Sequence, residues 1–314
     1  MAASLLDNLE PTITPTEPML AAPESQLCVE DWTAWAIERK YDGHRMIIYR
    51  IGKSELHVFA RPTGDGRMIE RTSKLPAELI QELKKLPPSV TDGELLGGDT
   101  GTDVTRKDLA HNLSMVIFDL LEVDGIDWKN EQYDFRRQGL VEIFNRLKLN
   151  PSRVQLAESH LLRSEGDALK FVQRVFKENG EGAILKFRRG RYLPGKRKKE
   201  LWVKIKRKES AALPIVGFEP SRGEVRFPGH PFAIVRLMDD DGNETTCKTK
   251  TDEELAKFVA LWQKKFPTVP LNQVTVEMAK KHPAVGRLLR IEFPRRTRTG
   301  GYQGPVIWDR WEDE

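Results

Sequence analysis

A strand-like run that ends on a lysine and meets an Asp-Gly pair constrains this chain more than any other feature. In Ala36-Ile37-Glu38-Arg39-Lys40 successive side chains of an extended backbone point to opposite faces, so residues 36, 38 and 40 share one face. Glu38 therefore points the same way as Lys40. Asp42-Gly43 separates this run from a second, His44 to Arg50, and an Asp-Gly pair between β-rich runs predicts a hairpin. Two later blocks obey the same alternation. Glu181 follows Asn179-Gly180, a helix stop, and opens the apolar run Gly182 to Phe187. In Trp202-Val203-Lys204-Ile205-Lys206 the two lysines share a face with Trp202.

Lysine is a nucleophile only when neutral. With an ordinary pKa of about 10.4, on the order of 0.1% of such amines are neutral near pH 7.5. Arg45, Lys204 and Lys206, gathered around Lys40, would favour the neutral form through like charge and desolvation. A nucleophilic lysine, a carboxylate suited to a metal and a pair of lysines for phosphate are the parts of a phosphoryl-transfer site. The competing view of Lys40 is an ordinary surface lysine beside a hairpin.

Charge is distributed unevenly. From Lys186 to Lys208 there are twelve Lys or Arg against one Glu, net +11, in a chain whose total is only +4. Arg188, Arg189, Arg191, Lys196, Arg197, Lys198 and Lys199 thus form a basic stretch beside the candidate site, suited to a polyanion bound with salt-sensitive affinity. A basic loop that serves only solubility is the alternative.

The blocks Pro18-Met19-Leu20-Ala21, Lys40-Tyr41-Asp42-Gly43-His44-Arg45, Phe59-Ala60-Arg61, Asp92-Gly93-Glu94-Leu95, Phe118-Asp119, Glu181-Gly182 and Trp202-Val203-Lys204-Ile205-Lys206 resemble, in order and spacing, the nucleotidyltransferase family of ATP-dependent DNA ligases. The resemblance implies that Lys40 attacks the α-phosphate of ATP, forms a phosphoramide to AMP and releases pyrophosphate. AMP would then pass to a DNA 5′-phosphate, and a neighbouring 3′-hydroxyl would displace it. It further implies that Lys204 and Lys206 neutralise phosphate charge, Phe118 stacks on adenine, and Glu38 helps read the adenine edge. Glu94 would bind ribose hydroxyls or support the metal, Glu181 would serve magnesium, and Arg45 and Arg61 would contact the nucleotide and the DNA 5′-phosphate. The basic stretch would track the DNA backbone. Each residue also has a plainer account: Phe118 as core, Glu181 as a helix end, Arg61 as a solvated arginine.

The family resemblance sets the expected fold class as α+β. It implies a nucleotidyltransferase (adenylation) domain of antiparallel sheets with flanking helices, followed by a small OB-fold β-barrel. Residues 1–26 read as an extended lead-in, 27–209 as the adenylation domain and 210–314 as the OB-fold, with a hinge at Lys208-Glu209-Ser210. Apolar residues at helical spacing predict helices through Leu140–Leu147, Ala168–Phe176 and Leu255–Trp262, the second opened by Ser164. Tyr133-Asp134-Phe135-Arg136-Arg137 also resembles a family block, the plainer account being that its arginines are exposed on the first turn. Short strands are expected at 213–218, 232–238, 245–249 and 288–293. At 39% hydrophobic residues and a mean hydropathy of −0.52 the chain has no membrane-spanning run, and with no secretory signal evident it reads as a cytoplasmic monomer. Only Cys28 and Cys247 are present, far apart, so no cysteine zinc site is suggested. With no room for a nicotinamide-recognising domain either, ATP and Mg2+ are the expected cofactors, and nicked double-stranded DNA is the expected partner. RNA ligase, mRNA guanylyltransferase or a non-catalytic DNA-binding module are the alternatives. The C-terminus departs from the family pattern: Arg310 and Asp313 stand where an Arg-x-Asp-Lys block is expected, without the lysine. Arg295, Arg296 and Arg298 are basic candidates for DNA or phosphate contact.

Overall fold

The computed structural model of the chain describes residues 13–52, 54–61, 67–98, 101–105, 111–221, 226–249, 251–294, 296, 300–302, 304 and 306–311. Arg295, Arg298 and Asp313 lie outside these, as does the side chain of Arg310. The chain divides into two compact units with the break between Lys206 and Arg207.

Two sheets build the first unit. One has the strand order Ala22–Pro23, Trp202–Lys206, Gly182–Phe187, Trp35–Lys40, Ser159–Leu161. Its register sets three rows across the central strands: Lys40, Gly182 and Lys206; Glu38, Ile184 and Lys204; Ala36, Lys186 and Trp202. The alternation read from sequence is therefore repeated in three strands. Between these positions, Ile37, Ala183, Leu185 and Val203 pack with Ala168, Phe171 and Val175 of the helix Glu165–Lys177. Burying that apolar face is what forces the polar row side chains onto the other one.

The second sheet has the order Ile69–Glu70, Glu55–Ala60, His44–Ile51, Ser89–Leu96, Ser114–Val123, Ile126–Asp127, with Val154–Leu156 alongside Ser114–Val123. Met46, Ile48, Val58, Met115 and Ile117 on one face pack with Leu79 and Leu83 of the helix Ala77–Lys84 and with Leu140 of the helix Tyr133–Arg146. Ile47, Tyr49, Phe59, Val116 and Phe118 on the other face meet Met19, Tyr192 and Trp202. That shared cluster joins the two sheets.

Several expectations are corrected. Trp35–Lys40 and His44–Ile51 do not pair as a hairpin; they belong to different sheets, and Asp42-Gly43 is the crossing between them. Gly43 is required there because a Cβ would lie 2.2 Å from the Leu95 carbonyl oxygen. The end of the lead-in is structural, since Met19 and Ala22 are fully buried and Ala22–Pro23 pairs in parallel with Val203–Lys204. Arg136 is not exposed on its first turn but fully buried, and Arg137 donates to the Ala157 carbonyl at 2.6 Å. Glu209 and Ser210, assigned to a hinge, already pair with Phe293 and Glu292 as the start of a strand.

The second unit is a five-stranded OB-fold sheet in the order Glu244–Lys248, Ile234–Met238, Glu209–Glu219, Leu288–Phe293, Ile307–Trp311. The last strand was not anticipated, because its Asp309 and Arg310 break the apolar pattern. The helix Asp252–Lys265 starts at a capping box of Thr251 and Glu254 and sends Phe258 and Trp262 into the core.

His282 sits in that core, 2% exposed, with Phe218, Phe232, Phe258 and Trp262 around its ring at centroid distances of 4.6, 4.7, 5.8 and 6.0 Å. Its Nδ1 accepts the Ala284 N–H, so Nε2 donates to the Phe258 carbonyl and the ring is neutral. Burial pushes its pKa down to about 4. The unfolded chain, with a histidine pKa of about 6.5, binds the extra proton first. The stabilisation is thus complete above pH 6.5, falls as pH drops towards 4, and amounts to about 3 kcal/mol. Urea midpoints between pH 7 and 4 are expected to fall more steeply for the wild type than for His282→Phe. Parallel curves would contradict this.

Candidate active site

The two sheets enclose a cleft to which the alternation delivers polar side chains from both sides. Glu38, Lys40, Arg45, Arg61, Glu94, Phe118, Lys204 and Lys206 all line it. Glu181 is not itself among the lining residues but bonds two that are. Its position just before Gly182 puts the carboxylate between the outer members of the Lys40–Gly182–Lys206 row, where Oε2 accepts from Lys40 Nζ at 2.5 Å and Oε1 from Lys206 Nζ at 2.7 Å. Gly182 has φ +150°, and a Cβ there would lie 2.0 Å from the Ile205 carbonyl oxygen, so a glycine is required beside this carboxylate.

The charge nearest the Lys40 amine is a carboxylate, not the cations expected from sequence. Lys204 is half-buried with no ion pair among the described residues, and its pKa is lowered first by burial and then by Lys206, Arg197 and Lys40. The lysines do gather, but Arg45 turns elsewhere. Its guanidinium grips Asp92 through Nε at 2.5 Å and Nη2 at 2.6 Å. Burial opposes its charge, but the fully buried Asp92 outweighs that and its pKa rises. Arg61, one strand over, is exposed and free of that bond. Glu94 accepts the Gly43 N–H at 3.2 Å, and burial lifts its pKa to about 7 against the opposing charges of Arg45 and Lys40.

Phe118 is 8% exposed, so it is core and cleft wall at once. Arg45 Cζ lies 4.4 Å from its ring centroid. Glu38, 2% exposed, accepts the Tyr133 hydroxyl at 2.5 Å and pairs with Lys186 Nζ at 2.8 Å. Lys186 was counted within the basic stretch but is buried, 4.4 Å from the Trp202 centroid, and burial lowers its pKa against Glu38 and Asp119. Arg136 reaches the same group by gripping Asp119 at 2.7 and 3.0 Å.

Of the basic stretch, Arg189, Arg191, Lys196, Arg197, Lys198 and Lys199 are exposed, and Arg197 also lines the cleft. Arg188 is committed to Asp134 at 2.8 Å and to the Thr33 carbonyl. Arg296, in the second unit, is likewise engaged by Asp239 at 2.6 Å. Asp92 and Asp119 stand inside the blocks that carry the resemblance, but neither they nor Tyr133, Arg136 and Tyr192 were given a role in the site from sequence.

DNA ligase 1 of Korarchaeum cryptofilum is 27% identical over 267 residues, covering 76% of this chain and 46% of that protein. The DNA ligase of Fowlpox virus is 28% identical over 225 residues, covering 65% and 38%. The chain thus spans less than half the length of these relatives. Among solved structures, a Lig E DNA ligase superposes with a TM-score of 0.64 at 17% identity, covering 94% of this chain and 99% of that one. The ligase domain of M. tuberculosis LigD gives 0.51 at 20%, covering 95% and 96%. These likenesses establish a nucleotidyltransferase domain followed by an OB-fold. The description "ATP dependent DNA ligase domain" matches residues 18–206, the span that builds the whole cleft from Pro18 to Lys206, and the chain belongs to that family.

Proposed function

We propose that this chain is an ATP-dependent DNA ligase that seals nicks between a 3′-hydroxyl and a 5′-phosphate in duplex DNA, through AMP carried on Lys40. The observation that carries the proposal is the row Lys40–Gly182–Lys206 with Glu181 between its ends. Supporting this reading, the row brings an amine, a carboxylate within reach of its proton and a second lysine together beside a cleft whose walls include Phe118 and Ile184. The Lys40 amine, once it has shed a proton, bonds to the α-phosphorus of ATP. The bond from that phosphorus to the β-phosphate oxygen breaks, and pyrophosphate leaves with the electron pair. Lys204 and Lys206 offset the charge that shifts onto the leaving oxygens. Phe118 offers a flat apolar face to the base, and Glu38 offers acceptor oxygens to its edge.

Magnesium fits the donor set. Glu181 and Glu94 are hard oxygen ligands, and no cluster of three or more metal-ligating side chains occurs among the described residues. That suits an ion held by one or two carboxylates together with substrate phosphates and water. When bound, it would neutralise phosphate charge. The exposed arginines and lysines of 189–199 supply sequence-independent affinity for the DNA backbone. One chain carries both the cleft and an OB-fold, so the account needs no partner subunit. No helix among the described residues is long and apolar enough to cross a membrane, and we place the protein in the cytoplasm, with ATP and DNA.

Nicked DNA, nicked RNA and RNA bearing a 5′-diphosphate, each offered with ATP and magnesium, test the proposal. Sealing of the first alone is expected; capping of the third, or no reaction with any, would overturn it. Glu181→Ala leaves Lys40 and Lys206 as unbridged like charges, and sealing is expected to fall by about 10² to 10³-fold. Turnover equal to wild type would return Glu181 to a merely structural place at the helix end.

A further inference from the structure

Tyr192 lies inside the basic stretch, next to the exposed Arg191, yet is only 1% exposed. Its backbone N–H donates to the Lys129 carbonyl at 2.8 Å, and its ring meets Trp202 edge-on at 5.8 Å. The hydroxyl makes two bonds. It donates to Asp92 Oδ2 at 2.6 Å and accepts the Met19 N–H at 2.9 Å. The same Oδ2 accepts Arg45 Nη2, while Oδ1 accepts Arg45 Nε. Arg45 then lies across the Phe118 ring. A hydroxyl, a carboxylate, a guanidinium and an aromatic ring thus form one continuous line from the basic stretch to the cleft.

We propose that Tyr192 is a positioning residue for the nucleotide cleft, which through Asp92 sets where Arg45 lies against Phe118 and through Met19 fixes the adjoining wall. Asp92 is the group that the hydroxyl steers. A carboxylate has about four lone-pair directions, and the Arg45 fork uses two of them, which aligns the two groups with each other but leaves the pair free to shift together on the flexible arginine stem. The phenol adds a third bond from a rigid ring locked by packing, which removes that freedom. Met19 is held twice by the same turn: by the Tyr192 hydroxyl at its N–H, and by the Leu193 N–H, which donates to its sulfur at 3.3 Å. Met19 and Arg45 both line the cleft, so one hydroxyl references two parts of its wall. The proposal rests on the nucleotide reading of that cleft.

Tyr192→Phe in the full chain is the test, because it deletes the hydroxyl and keeps the ring. ATP affinity, read by tryptophan fluorescence in a Lys40→Ala background where no transfer can occur, is expected to weaken about tenfold. In the protein with Lys40 intact, the KM for ATP in self-labelling is expected to rise by the same factor of about ten while kcat changes by less than about twofold. In an Arg45→Lys background, Tyr192→Phe is expected to add less than about threefold, since the route through Asp92 is already broken and only the bond to Met19 remains to be lost. An unchanged ATP affinity, or a further tenfold loss on top of Arg45→Lys, would overturn the proposal. A folding defect is distinguishable: it lowers the number of binding sites and leaves the affinity of the remainder unchanged, which counts against it. Wild type that binds ATP without self-labelling sinks the ligase reading but leaves the affinity arm decisive. Wild type that does not bind ATP sinks both.

Discussion

Lys40→Ala is expected to abolish transfer of AMP to the protein, and with it sealing, by on the order of 10⁴-fold or more, while retaining the affinity of the wild type for duplex DNA. The amine supplies the only bond that this account routes the nucleotide through. Lys186, Lys204 and Lys206 are nearby; Lys186 is enclosed by Glu38, Phe118 and Trp202, and it is the likeness of Lys40-Tyr41-Asp42-Gly43 to the family block that selects Lys40 over Lys204 and Lys206. DNA affinity is proposed to have a different origin, in exposed side chains such as Arg189, Arg191, Lys198 and Lys199. Lys40 itself is half-buried at a strand end, and Glu181 keeps Lys206 as a partner when it is lost. A gel-shift assay beside self-labelling with ATP marked at its α-phosphate separates the two properties. Loss of both together would mean that the substitution damaged the fold, and labelling that persisted would remove Lys40 from the mechanism.

Arg136→Ala is expected to cost about 3 to 5 kcal/mol of stability, because it leaves a buried carboxylate without its partner. Arg136 and Asp119 are 0% and 1% exposed, and the same guanidinium donates to the carbonyls of Glu131 and Gly190 at 2.7 and 3.0 Å. Burial alone would raise the Asp119 pKa, yet Arg136 and then Lys186 hold it below the usual carboxylate value. Removing Arg136 leaves only Lys186, at 3.8 Å, and the Leu120 N–H to offset the desolvation of Asp119. The paired change Arg136→Met with Asp119→Leu is expected to recover much of the loss, as apolar replacements of buried ion pairs commonly do. Urea denaturation of the three proteins measures both effects. Equal midpoints for Arg136→Ala and wild type would show that the pair contributes nothing.

Much of the candidate site was legible because strand alternation is local. Glu38 with Lys40, and Trp202 with Lys204 and Lys206, share faces as two-residue periodicity requires, and the Ser164 cap and the Asn179 stop bound their helix as expected. Pairing between strands is not local. The Asp42-Gly43 sequence favours a tight hairpin, but burying Ile37 against the helix Glu165–Lys177 and Ile47 against Phe118 sends the two runs to different sheets. Buried charge was equally hidden. Lys186 and Arg136 look like surface residues in a sequence, since cations are rarely enclosed without partners, and their partners lie far along the chain. The turn of Arg45 towards Asp92 depends on a residue 47 positions away. Of the cations anticipated around Lys40, Lys206 shares Glu181 with it, whereas Arg45 is drawn away to Asp92.

The central claim is that the side-chain nitrogen of residue 40 bonds to the α-phosphorus of ATP. Proteolysis of the protein after incubation with ATP labelled separately at the α- and γ-phosphates, followed by identification of the labelled peptide, tests this most directly. The α-label is expected on the peptide containing Lys40, with none from the γ-position. Label on a peptide carrying Lys186, Lys204 or Lys206 in its place, or label delivered by the γ-phosphate, would contradict the account.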